Sequence, residues 1–110
     1  MKKNIALLVL GLSFGFGAAA QDKRSYTGVI TDTMCGATHN MGITPDDKCV
    51  RECVRSDPKK WKYALRVGTE VYALSDQQSP SAWAGRRVKV TGTLYPKTKI
   101  LNLLKIEAAQ

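Results

Sequence analysis

All three cysteines of this 110-residue chain, and its only histidine, fall between positions 35 and 53. The pattern is Cys35-x3-His39-x9-Cys49-x3-Cys53. A four-residue spacing on a helix places Cys49 and Cys53 on one face, one turn apart. Cys35 and His39 precede them in a segment with Gly36 and Gly42, where the backbone bends freely. Three thiolates and one imidazole are a complete tetrahedral set for structural zinc. Cys35, His39, Cys49 and Cys53 are therefore the expected metal ligands, with zinc ahead of copper. Copper is kept because Cu(I) takes soft thiolate and thioether ligands, and Met34 and Met41 lie in the same stretch. The plainer role for both methionines is filler packed under the loop.

The spacing lies outside the commonest zinc-finger patterns, so a disulfide remains open. Three cysteines allow three single pairings, each leaving one thiol over. Cys35 joined to Cys49 or Cys53 would tie loop to helix and stabilise by roughly 3 kcal/mol in the chain-entropy model. The leftover thiol would then be reactive or intermolecular. Asp32 reads either as an acceptor that orients a ligand or as the cap of a turn.

Residues 1–20 read as a signal peptide: Lys2 and Lys3, an apolar run from Ile5 to Phe16, then Ala18-Ala19-Ala20 before a cut at Gln21. The apolar run is shorter than the roughly 20 residues that span a bilayer. Export to the periplasm or exterior is expected, in an oxidising compartment, with no membrane span after cleavage. The mature chain, 21–110, is one small domain, and a domain of this size gains from a staple. Losing Lys2 and Lys3 takes the net charge from +8 to +6. The remaining charge is dispersed, which favours solubility over a nucleic-acid footprint.

Alternation predicts strands at Ser25–Thr31, Trp61–Val67, Glu70–Ser75, Arg86–Leu94 and Lys99–Ile106. Gly28 marks a bulge or close approach in the first strand. Gly68-Thr69 is a two-residue hairpin turn. Thr44-Pro45-Asp46-Asp47 starts a helix expected to run from Pro45 to Arg55, with Asp57-Pro58 ending it. One further helical turn is expected over Ser79–Gly85. Five short strands with evenly spaced turns predict a mainly β fold, a small five-stranded OB-like barrel. The Cys/His loop-helix insert, residues 32–56, follows its first strand. An SH3-like barrel or open sheet is the alternative.

Nothing in the chain matches a Cys-x-x-Cys redox pair, a haem attachment, a phosphate-binding glycine loop or a paired-acid site. Cys35 and His39 as nucleophile and base lack a third, orienting group. The aromatics Trp61, Tyr63, Tyr72 and Trp83 fit core or rim positions. The role expected is binding or structural rather than catalytic.

The string Gly28-Val29-Ile30-Thr31-Asp32-Thr33-Met34-Cys35-Gly36, with His39 and Cys49-Val50-Arg51-Glu52-Cys53-Val54, resembles a family of small exported bacterial proteins of uncharacterised function. Lys62-Tyr63-Ala64-Leu65 and Gly85-Arg86-Arg87-Val88-Lys89-Val90-Thr91-Gly92 continue the likeness over nearly the whole mature chain. The resemblance implies an OB-like barrel and export, and brings no established activity. The expectation is a monomeric, exported metal-ion binder. The rival is a disulfide-stapled module whose barrel face binds a protein or glycan, with a thiol-dependent enzyme third.

Overall fold

The strands form where β-branched residues alternate with charge. In β4 (Arg87–Tyr95), Val88 and Val90 are fully buried while Arg87 and Lys89 face solvent. The computed structural model describes residues 22–36 and 46–109. The expected leader, His39, Met41, Gly42 and the expected Thr44-Pro45 helix start lie outside the described residues.

The described chain is mainly β. β1 (Arg24–Asp32) is followed by helix α1 (Asp46–Ser56), then β2 (Tyr63–Val67), β3 (Glu70–Leu74), a 3-10 turn (Ser79–Trp83), β4 and β5 (Ile100–Ala108). The strands close on themselves in the order β1-β2-β3-β5-β4. All neighbouring pairs are antiparallel except β3 with β5, which run parallel through Ala73↔Ile100 and Leu74↔Leu101. β1 pairs with β4 from Arg24 to Val29 and with β2 from Val29 to Asp32.

Ile30, Leu65, Val88, Val90 and Leu101 are fully buried inside this wall, with Leu74 and Tyr63 beside them. Helix α1 joins the same core through Val50 and Val54. Burying each of these valines stabilises by roughly 1.5–3 kcal/mol. The buried stripe of α1 is Cys49, Val50, Cys53 and Val54, so the two cysteines share the inward side with the valines that anchor the helix. Asp46 and Asp47 in its first turn, and Arg55 in its last, suit the helix dipole.

Gly85 sits at φ +75°, and a Cβ there would lie 2.7 Å from the Asp47 nitrogen. The glycine lets the segment before β4 touch the backbone at the start of α1. An open groove of about 550 Å³ is here too, lined by Asp46, Asp47, Arg51 and Arg86. It lies at the helix N-terminus and is not lined by the cysteines. Asp47 and Arg51 pair with each other at 3.0 Å.

The 3-10 turn is held by Asp76, whose Oδ1 accepts the backbone N–H groups of Gln78 and Ser79 at 2.8 and 3.2 Å. The Ser79 side chain adds a further hydrogen bond, and together these hold the Asp76 carboxyl below its usual range. A depressed carboxyl stabilises the fold above the unfolded pKa near 4, and that contribution is lost as pH falls through the folded value. Asp76 is only partly buried, so the effect is about 0.5 kcal/mol or less. Asp76→Asn is expected to be less stable than the parent at pH 7, with the gap closing by pH 3 in urea titrations.

Candidate metal centre

The site begins where β1 ends. Asp32, the last residue of β1, is fully buried. Its Oδ1 accepts the backbone N–H of Met34 at 2.9 Å and of Cys35 at 2.7 Å. The Gly36 N–H donates to the Asp32 carbonyl at 2.9 Å, and the Thr31 hydroxyl donates to the Gly36 carbonyl at 2.7 Å. Gly36 closes this turn at φ +62°, a region that costs other residues roughly 1–2 kcal/mol. Two bonds between Thr33 and Lys62, each 2.9 Å, tie the turn to the start of β2. Cys35 is thereby held between the Asp32 carboxylate, which takes its N–H, and Gly36, which closes the turn.

Cys49 and Cys53 approach from α1, both fully buried. The Cys35 and Cys53 sulfurs are 3.4 Å apart. All three Sγ atoms lie within 4.8 Å of one another. A tetrahedral metal with sulfur bonds of about 2.3 Å needs its sulfurs about 3.8 Å apart. The cluster brackets that spacing, so it fits a thiophilic metal with little movement.

Burial pushes the Cys35 thiol up, opposed by its bond to Cys53 and reinforced by the Asp32 charge. Burial pushes the Cys53 thiol up strongly, with the Cys35 bond and the Asp32 charge acting in the same direction. These are thiols that keep their protons at neutral pH unless a cation replaces them. An activated nucleophile needs the opposite shift. Tyr63, facing Asp32 across β1 and β2, is also raised, chiefly by burial, with Arg51 and Arg55 pulling it down.

Of the four ligands expected from the sequence, the structure brings Cys35, Cys49 and Cys53 together, and His39 lies outside the described residues. Met34 is 40% exposed, which corrects its reading as filler under the loop. Met34 lies within the capped Asp32–Gly36 turn, its N–H held by the Asp32 carboxylate. The turn-cap role of Asp32 is present, yet Asp32 carries more than that role needs. Its Oδ2 is buried with no hydrogen-bond partner among the described residues. A buried carboxylate oxygen without a partner is costly unless a cation or a proton compensates it. The sequence signal for it was slight, since an aspartate after a strand usually faces solvent. No protein-family model, curated protein or solved structure matches this chain.

Proposed function

We propose that this is a small exported metal-binding protein whose site is built from Cys35, Cys49 and Cys53, with His39 as the fourth ligand. The convergence of three sulfurs within 4.8 Å, from a capped turn and a core-anchored helix, carries this reading. Zinc is placed ahead of copper because three thiolates and one imidazole make a closed tetrahedral set. The role is structural or metal handling. Helix α1 and the Asp32 turn meet at the sulfurs, so a bound ion would pin both to the wall of strands. Export rests on the leader at residues 1–20 and on the family resemblance. The strand order, with a parallel β3–β5 pair, supports an OB-like barrel in which the helix follows β1.

Metal binding displaces thiol protons, so zinc uptake is expected to release protons and to weaken as pH falls. Elemental analysis of the purified full chain tests the proposal. One metal per chain, lost in Cys49→Ser, is the expected result. A metal content far below one after reduction and zinc exposure would overturn it.

One observation favours the disulfide reading. The Cys35–Cys53 sulfur separation of 3.4 Å needs little motion to close to the bond length of about 2.05 Å. Such a bridge would leave Cys49 as a buried thiol, in a module that binds a protein or glycan through its exposed face.

A further inference from the structure

We infer that Asp32 makes the three-sulfur cluster selective for divalent over monovalent thiophilic ions, an inference that rests on the metal-binding reading. Capping the turn at Met34 and Cys35 uses one carboxylate oxygen. A neutral asparagine can cap in the same way. The second oxygen is buried and has no hydrogen-bond partner among the described residues, a costly arrangement if a cap were all that was required. The two arginines of α1 are engaged elsewhere: Arg51 with Asp47 and the Ser81 carbonyl, Arg55 with Glu52. Asp32 also accepts the backbone N–H of the ligand Cys35 at 2.7 Å, which sets its carboxylate next to that end of the cluster.

The charge arithmetic follows from the ligands. Three thiols that give up three protons and take a divalent ion form a cluster of charge −1. The same thiolates around a monovalent ion form a cluster of charge −2. The empty site is common to both reactions, so its protonation cancels from the comparison. The loaded states differ by one unit charge, and a carboxylate at this position penalises the monovalent one more. One unit charge acting across a few residues' width in an effective dielectric of about 20 corresponds to a preference of about tenfold or more.

The test uses Cd²⁺ and Ag⁺, two thiophilic ions that keep their charge in solution, titrated into the reduced full chain and read by thiolate-to-metal absorption in the ultraviolet. Asp32→Asn preserves the acceptor for the turn and removes the charge. The expected result is a fall of about tenfold or more in the ratio of Cd²⁺ to Ag⁺ affinity. Asp32→Ser, which keeps a short oxygen acceptor, is expected to shift the ratio the same way and guards against a folding defect peculiar to one variant. A structural role would weaken both ions equally, so an unchanged ratio in both variants overturns the inference while the metal reading stands. Failure of the unmodified chain to bind either ion overturns the metal reading, and the inference with it.

Discussion

Cys53→Ser is expected to abolish stoichiometric metal binding and to lower the melting temperature of the zinc-loaded protein by more than about 15 °C. A ligand that binds only the folded state stabilises by about 4 kcal/mol at a thousandfold excess over its dissociation constant. In a domain of this size each kcal/mol moves the melting temperature by roughly 4–8 °C. Cys53 is fully buried in the stripe that also carries Val50 and Val54, so part of any loss reflects a buried hydroxyl. The chelated parent separates the two effects. Cys53→Ser and the chelated parent should melt within a few degrees of each other, while the zinc-loaded parent melts far higher. A parent whose melting temperature ignores zinc would remove the stabilising role.

The second large effect belongs to the wall of strands. Gly28→Ala is expected to cost about 3 kcal/mol or more, because an added Cβ would lie 2.1 Å from the Arg66 carbonyl oxygen. That obstacle is backbone, so β1 and β2 must part to admit it. Gly28 lies where β1, still paired with β4, approaches β2, whose pairing with β1 begins at Val29↔Arg66. Gly68→Ala is the control. It has open space but a φ of +63°, so its expected cost is roughly 1–2 kcal/mol of backbone strain. Chemical denaturation of the two variants checks the order. Equal losses would mean that the β1–β2 approach is looser than described.

Much of the wall was legible because alternation is local. Val88 and Val90 faced inward as their spacing from Arg87 and Lys89 implied. Gly28 was a close approach, as a glycine inside a strand often is. The hairpin turned at Gly68-Thr69. Helix α1 appeared with both cysteines on its buried face. β2 began at Tyr63 rather than Trp61, because the N–H groups of Lys60 and Trp61 are taken by the Asp57 carbonyl in the preceding turn. β5 ran on to Ala108, paired with Val88 at the start of β4, a partner far away in sequence. The parallel β3–β5 pairing was hidden for the same reason.

The least legible part was the end of β1. Ile30, Thr31 and Asp32 are all fully buried, against the period of two that a half-buried strand shows. The turn from Asp32 to Gly36 folds back and takes the Thr31 hydroxyl, which local alternation has no way to signal. The closeness of Cys35 to Cys53 depends on that fold-back as much as on the helix. Four-residue spacing explained why Cys49 and Cys53 share a face, and only the capped turn explains how Cys35 reaches them.

Thiol titration of the full chain isolated from its native compartment, before and after chelation, tests the proposed metal centre most directly. The account predicts no thiol reacting quickly beforehand, three reacting once a strong chelator has removed one equivalent of metal, and that metal recovered in the chelate. Two cysteines already oxidised, one reactive thiol regardless of chelator, and no metal released would contradict it and assign Cys35 and Cys53 to a disulfide.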